Sequence, residues 1–310
     1  MKPDIIPLTE SHLNDISTIY AEAFSSPLNR PGKRIKTRNP DYWRLYLTKS
    51  TPYSLGIRLH HRLIGFSFIH YWGDYLWIGP IGILPEYQSQ GFGRRLLQSQ
   101  IEQTTADREL YMMALESSSP VSTLAFYLHS GFIQHALSFK FLLNHTQSPP
   151  PAILLQHESL TPQRLTHLPF MDHLYLTHHL DLKTDIYHFL DAGLGQAWLV
   201  HTPDHRFQAL VFWIHDLSPY DDSSYLTYKC ILAEPNDPAL IQSLFCYLAH
   251  RHMQNGCRYS LLTLQSPFQS LIPHLPWPGC KLIQYTFLMN HHLSRLDLPR
   301  HLFYAFSWNG

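Results

Sequence analysis

The fold of this chain is decided by the stretch Ile81-Gly82-Ile83-Leu84-Pro85-Glu86-Tyr87-Gln88-Ser89-Gln90-Gly91-Phe92-Gly93-Arg94-Arg95-Leu96-Leu97. Its pattern predicts a strand that ends at Pro85, then a short polar loop with two glycines, then an amphipathic helix. Glycines in such a loop let successive backbone N–H groups turn toward one point, and the helix N-terminus adds partial positive charge. The stretch therefore predicts a cradle for a diphosphate group.

Other phosphate-binding loops fit the sequence less well. A dinucleotide-binding fingerprint needs Gly or Ala three residues after Gly93, and Leu96 stands there. A Walker loop needs Ser or Thr after Gly32-Lys33, and Arg34 stands there. An ordinary connection between strand and helix, with glycines that serve packing, stays open as the alternative.

Hydrophobic spacing along the first half predicts alternating strands and helices. Strands are predicted at residues 5–8, 53–58, 63–71, 75–84, 110–115 and 133–144, and helices at residues 11–24, 41–47, 91–103 and 121–129. The helix at 91–103 links two strands, and such a crossover normally joins parallel neighbours of one sheet. We therefore expect an α/β fold.

The second half of the chain repeats features of the first. The run Ser148-Pro149-Pro150-Pro151 cannot readily continue a helix or a strand, so we place a domain boundary between residues 147 and 148. Three short segments of the first half return after it: Leu96-Leu97-Gln98-Ser99 as Leu240-Ile241-Gln242-Ser243, Leu115-Glu116-Ser117 as Leu264-Gln265-Ser266, and Phe141-Leu142-Leu143-Asn144-His145 as Phe287-Leu288-Met289-Asn290-His291. Their common order and nearly constant offset predict a duplicated fold.

Length and composition limit the class of protein. With 310 residues, 45% of them hydrophobic, the chain can build two ordinary cores. Lys plus Arg equal Asp plus Glu at 23 each, which provides no overall field for binding nucleic acid or an anionic membrane. The N-terminus shows no signal-like pattern and no stretch approaches the roughly 18 apolar residues of a membrane span, so we expect a cytoplasmic protein without membrane contact.

Metal and disulfide chemistry are not expected. Histidine is abundant, at 22 residues, but the zinc motif His-Glu-x-x-His does not occur in the sequence. The cysteines show no Cys-x-x-Cys pair, which favours free thiols; they are Cys230, Cys246, Cys257 and Cys280.

The deciding stretch resembles the signature of the GNAT superfamily of N-acetyltransferases, Gln/Arg-x-x-Gly-x-Gly/Ala, which is met by Gln88, Gly91 and Gly93. The resemblance implies the acyl-CoA N-acyltransferase fold, an α/β (α+β) architecture with a mixed, mostly antiparallel sheet flanked by helices. It also implies acetyl-CoA as co-substrate, with backbone groups of Ile81 and Ile83 pairing with the pantetheine arm. The residues that would hold the coenzyme pyrophosphate are Gln88, Ser89, Gln90, Gly91, Phe92, Gly93 and Arg94.

A second block strengthens the resemblance. The family's later strand and helix are similar to Leu115-Glu116-Ser117-Ser118-Ser119-Pro120 and Ala125-Phe126-Tyr127-Leu128-His129-Ser130-Gly131-Phe132. By this resemblance Tyr127 would protonate the departing coenzyme thiolate, a general-acid role that suits a phenol close to sulfur. Aromatic packing under the sheet is the alternative for Tyr127. Many relatives carry Asn where this chain has Pro120, which puts any contact of that Asn in doubt here.

Transfer of an acyl group to an amine needs a neutral amine, an oxyanion stabiliser and a proton for the leaving sulfur. No cysteine precedes Cys230, which agrees with direct attack by the amine. Glu116 is the candidate base, or a contact for a cationic acceptor. A solvated or salt-bridged carboxylate, with bulk water as base, is the alternative. The aromatic residues Tyr42, Trp43 and Tyr46 either line an acceptor pocket or belong to the core.

We expect residues 1–147 to form a GNAT acetyltransferase domain with the CoA-binding motif, and residues 148–310 a degenerate copy with a structural or substrate-lid role. The corresponding loop of the copy is Ala233-Glu234-Pro235-Asn236-Asp237-Pro238, which has no glycine, two prolines without N–H donors, and two acids that would repel phosphate. Residues 302–308 are predicted to form a last strand that packs between the halves. The basic loop at residues 30–38 either selects an acidic acceptor or is simply solvated.

The predicted function is acetyl-CoA-dependent N-acetylation of a primary amine, carried by a small molecule or a peptide. A catalytically silent acyl-CoA-binding regulatory module stays open as the alternative. An aminoacyl-tRNA-dependent transferase of the tandem type is disfavoured by the intact coenzyme loop and the neutral charge. No nucleic acid or membrane partner is expected, and a homodimer is left open.

Overall fold

The computed structural model describes residues 3–25, 37, 40–50, 53–107, 110, 112–117, 121–217, 224–266, 268, 279–291 and 302–306. The strands of the first half are β1 (Asp4–Pro7), β2 (Leu55–Leu59), β3 (Arg62–Trp72), β4 (Tyr75–Ile83), β5 (Met112–Ser117) and β6 (Phe132–Asn144). Its helices are α1 (Leu13–Ser25), α2 (Pro40–Ser50), α3 (Phe92–Asp107) and α4 (Val121–Leu128). The predicted elements of this half are confirmed, with ends that differ by a few residues.

The second half repeats this order of elements. Its strands are β7 (Gln156–Ser159), β8 (Gly195–His201), β9 (Gln208–Leu217), β10 (Ser224–Glu234), β11 (Tyr259–Gln265), β12 (Cys280–His291) and β13 (Phe303–Phe306). Its helices are α5 (Pro162–Thr166), α6 (Pro169–His178), α7 (Lys183–Asp191) and α8 (Pro238–Gln254). In both halves a strand and helices precede three strands, a long helix and two further strands, and the second half adds β13. This common order agrees with the predicted duplication. The domain boundary between residues 147 and 148 stays a prediction.

One mixed sheet runs through both halves. Its strand order is β1-β2-β3-β4-β5-β12-β6-β11-β10-β9-β8-β7, and β13 pairs with β10. Among the described pairings only β4 with β5 and β10 with β11 are parallel. Each parallel pair is linked by a long helix, α3 or α8, as the crossover rule requires. The mixed, mostly antiparallel sheet is therefore confirmed.

The two halves exchange their last long strands. β12 of the second half lies between β5 and β6 and pairs antiparallel with both. β6 of the first half pairs with β11 rather than with β5. Leu288 thus stands opposite Glu116. The sequence did not predict this exchange, because β6 and β12 contain similar segments and their alternating apolar residues fit either neighbour.

Helices cover both faces of the first half of the sheet. On one face, Trp43 of α2 stacks on Phe68 with ring centroids 5.8 Å apart. Trp43 and Tyr46 are both buried, in agreement with the core interpretation of these aromatic residues. Side chains alternate along β3, so Ser67 points to the opposite face. There it donates a hydrogen bond of 2.6 Å to Oε1 of Gln100 on α3.

Candidate active site

A slot opens between β4 and β5. The two strands pair in parallel only over residues 75–77 of β4. Gly79 and Pro80 then form a bulge against β3, where the register shifts. Within the described pairings, residues 78–83 have no strand on the β5 side of β4. Ile81 and Ile83, the predicted contacts of the pantetheine arm, lie on this open edge, which exposes backbone N–H and C=O groups.

The loop that follows β4 turns through two left-handed residues. Ser89 has a φ of 61° and Gly91 a φ of 84°. A Cβ at Gly91 would meet no atom within 4 Å, so glycine is favoured there by its backbone conformation rather than by lack of space. Gln88 closes the loop by donating a hydrogen bond of 2.9 Å from Nε2 to the carbonyl oxygen of Ile83. The next three residues, Ser89, Gln90 and Gly91, lie between Gln88 and α3 and are exposed to solvent.

The loop leads directly into the N-terminus of α3. The amide of Arg95 donates a hydrogen bond of 3.0 Å to the carbonyl oxygen of Gly91, which marks the first helical turn. The first N–H groups of a helix have no acceptor within it, so those of Phe92, Gly93 and Arg94 point back out of α3. Together with the partial positive charge of the helix end, they suit a bound phosphate group.

Tyr127 of α4 is buried against the slot. It packs in one hydrophobic cluster with Ile78 of β4 and Leu115 of β5. Burial raises the pKa of the Tyr127 phenol. The phenol is therefore protonated at neutral pH, as an exposed tyrosine also is. Arg94 links α3 to the end of α4, because its Nη2 donates a hydrogen bond of 3.2 Å to the carbonyl oxygen of His129.

Glu116 lies on the other face of the sheet from Tyr127. Ala114 packs in the large cluster that includes α1 and α2, whereas Leu115 packs with Tyr127. Side chains alternate along a strand, so Glu116 points to the face of Ala114. Thr286 of β12 donates a hydrogen bond from Oγ1 to Oε1 of Glu116. The candidate base and the candidate acid thus approach the slot from opposite faces.

The sequence of this region matches a known family. Residues 13–132 match the model described as the Acetyltransferase (GNAT) family. The chain carries a GNAT acetyltransferase domain. It is therefore an acyltransferase, and the family match assigns to it the general activity of an acyl-CoA-dependent N-acyltransferase. The comparison with curated proteins found no match.

Solved structures share the fold of the GNAT domain and of the second half together. A protein from Pyrococcus horikoshii has a TM-score of 0.64 and 14% identity, over 96% of this chain and 95% of that chain. A GCN5-related N-acetyltransferase from Sphaerobacter thermophilus has a TM-score of 0.63 and 10% identity, over 96% and 98%. A tandem GNAT protein from the clavulanic acid biosynthesis pathway has a TM-score of 0.59 and 12% identity, over 96% and 100%. At these identities the likeness concerns the fold alone.

The opening that corresponds to the GNAT slot is filled in the second half. β10 and β11 pair in parallel only at Leu226 and Thr227 of β10. Beyond them, β13 pairs antiparallel with residues 230–233 of β10. The predicted C-terminal strand is thus confirmed, with β10 as its pairing partner. Tyr304 of this strand also lines a small cavity with Trp72 of the GNAT domain, so β13 and the first half border the same cavity.

The helix that corresponds to α3 is capped by the chain itself. Oδ1 of Asp237 accepts hydrogen bonds from the amides of Ala239 at 2.8 Å and Leu240 at 3.1 Å. Pro238, at the first position of α8, has no N–H to offer. At the start of α8, the Asp237 carboxylate therefore accepts hydrogen bonds like those that the first amides of α3 could offer to a phosphate. Its negative charge would also repel a phosphate.

Sequence reasoning missed the contribution of β12 to the GNAT site. Thr286 was not expected near Glu116, since a strand of the first half was the natural neighbour of β5. The similarity of residues 141–145 to residues 287–291 was the available signal, because it shows that the two strands can replace each other.

The remaining predictions about sites concern metals, membranes, the cysteines, Pro120 and the basic loop. Among the described residues, no group of three or more His, Cys, Asp and Glu side chains is placed to hold a metal ion. No helix in the described ranges combines the length and apolar character needed to cross a membrane. The four cysteines are free thiols. Pro120 and all of the basic loop at residues 30–38 except Thr37 lie outside the described residues.

Proposed function

We propose that the chain transfers an acetyl group from acetyl-CoA to a primary amine, on a small molecule or a peptide, by direct attack of the amine. The observation that carries this proposal is the open slot between β4 and β5, with the glycine loop and the N-terminus of α3 at its end. In this proposal residues 1–147 act as the acetyltransferase domain. Residues 148–310 act as structural support.

The described backbone fits an acyl-CoA donor. The pyrophosphate would rest on the loop and first helical turn, at Gln88, Ser89, Gln90, Gly91, Phe92, Gly93 and Arg94. The amide-bearing arm would lie along the open edge of β4 near Ile81 and Ile83, where it can pair as an added strand does. The second half supports this fit, because β13 occupies the corresponding space there as an extended chain.

The side chains at the slot suit the proton transfers of direct attack. The amine nitrogen forms a bond to the acyl carbon while the bond from that carbon to sulfur breaks. The proton lost by the amine goes to Glu116, directly or through water, and the proton of the Tyr127 phenol goes to the leaving sulfur. The packing of Tyr127 supports its role, because it lies in one cluster with Ile78 of β4 and Leu115 of β5, the two strands that border the slot.

Release of free CoA thiol on mixing the full chain with acetyl-CoA and a panel of primary amines tests the proposal. Tyr127→Phe should lower kcat by about 100-fold and leave the KM for acetyl-CoA unchanged, because the ring stays and only the acid is lost. Tyr175→Phe is the control, since Tyr175 lies on α6 and is 45% exposed. Equal turnover of Tyr127→Phe and wild type would refute the acid role, and CoA binding without thiol release would favour a silent binding module.

A further inference from the structure

The strand exchange places β12 of the second half beside β5, one of the two strands that border the first half's slot. β12 runs antiparallel beside β5, with Phe287 opposite Ser117 and Met289 opposite Leu115. Met289 is fully buried in the same cluster as Tyr127. The second half therefore contributes a buried side chain to the hydrophobic cluster of the candidate acid.

On the other face of β12, one polar side chain reaches the candidate base. Leu288 stands directly opposite Glu116, so Thr286 is its diagonal neighbour on the same face. The hydroxyl of Thr286 donates its hydrogen bond to Oε1 of Glu116. Thr286 is 9% exposed, and a β-branched residue in a strand has restricted rotation about χ1. The hydroxyl is thus held in place while it fixes one oxygen of the carboxylate.

We propose that Thr286 is a positioning residue for Glu116, supplied by the second half to the active site of the first. The proposal rests on the proposed function, because it needs Glu116 to act on the acceptor amine. With Oε1 held by Thr286, the carboxylate keeps one orientation relative to the slot. Loss of the hydroxyl removes this restraint on the Glu116 carboxylate, which lowers the fraction of molecules in a reactive geometry.

Kinetics of the full chain separate this role from a structural one. Thr286→Val, which keeps the shape and removes the hydroxyl, should lower kcat by roughly 10-fold with an unchanged KM for acetyl-CoA. Thr286→Ser, which keeps the hydroxyl, should recover most of the activity. In a Glu116→Gln background, Thr286→Val should cause no further loss. Thr263→Val on β11, which β6 separates from β12, is the control at another buried threonine and should turn over as wild type does.

The kinetic comparison of Thr286→Val, Glu116→Gln and their combination forms a double-mutant cycle. A second cycle with the same variants, measured as the free energy of unfolding in urea, reports on the contact without any need for turnover. Coupling between Thr286→Val and Glu116→Gln in both unfolding and kcat supports the proposal. Additive effects in either cycle, with an active wild type, overturn the role of Thr286 and leave the proposed function standing. A wild type that neither binds CoA nor releases thiol overturns the proposed function, and the positioning role with it.

Discussion

Trp72 of β3 donates a hydrogen bond of 2.9 Å from Nε1 to Oδ2 of Asp185 on α7, across the contact between the two halves. Asp185 is 2% exposed, and Nδ1 of His70 lies 3.4 Å from the same oxygen. A carboxyl group at such depth is tolerated only when polar partners surround it. The contact therefore fixes α7 of the second half onto the sheet of the first.

Removal of this carboxyl group should weaken the whole fold. Asp185→Ala removes the buried carboxylate that accepts the hydrogen bond of the Trp72 indole, and we expect the free energy of unfolding to fall by about 3 kcal/mol. Urea denaturation of the full chain measures it. Asp191→Ala, at an exposed position of the same helix, should change the stability by less than about 0.5 kcal/mol. Similar effects of the two variants would contradict the role given to Asp185.

Acid should destabilise the second half through His252. Burial lowers the pKa of His252 from 6.5 to about 3, and the nearby His145, His215 and His157 contribute. Between these two pH values the unfolded chain binds a proton that the folded chain does not, so stability falls as the pH drops below about 6.5. We expect a loss of about 2 kcal/mol at pH 5 relative to neutral pH, measured by urea denaturation across the pH range.

Replacing His252 with an aromatic ring that does not titrate should remove its part of the pH dependence of stability. His252 stacks on Trp198 with ring centroids 5.2 Å apart, and its Nε2 has no hydrogen-bond partner among the described residues. His252→Phe keeps the stacking and should reduce the loss of unfolding free energy at acid pH. His205→Asn, at an exposed turn, should keep the wild-type profile. If His252→Phe loses as much stability at acid pH as the wild type does, other groups cause that loss.

The last strand should be needed for stability. Phe303 of β13 is 0% exposed and packs against Phe268, with ring centroids 5.0 Å apart. Phe303→Ala leaves a cavity in the filled opening between β10 and β11, and we expect a loss of about 4 kcal/mol in the free energy of unfolding. Leu176→Ala, at a position 78% exposed, is the control with an expected change below about 0.5 kcal/mol. A wild-type melting curve for Phe303→Ala would contradict the packing of β13.

The sequence predicted those features that follow from local pattern. The strand, loop and helix around Gly91 were predicted because glycine spacing and apolar periodicity report on the local chain. The repeat of elements in the second half followed from the similar segments around Leu115 and Leu264. The exchange of β6 and β12 could not be predicted, because strand pairing depends on partners distant in sequence. For the same reason Thr286 and Asp185 emerged only when the three-dimensional contacts were known.

The central claim is that the loop before α3 holds the diphosphate of one CoA molecule per chain. Isothermal titration calorimetry of the full chain with CoA tests it most directly, with Gly91→Val as the variant and Gly256→Val as the matched control. Both glycines have a positive φ, 84° and 82°, and open surroundings, but only Gly91 lies in the loop. We predict one site in the wild type, an affinity at least about tenfold weaker in Gly91→Val, and wild-type affinity in Gly256→Val. Two sites, no binding by the wild type, or unchanged affinity in Gly91→Val would contradict the claim.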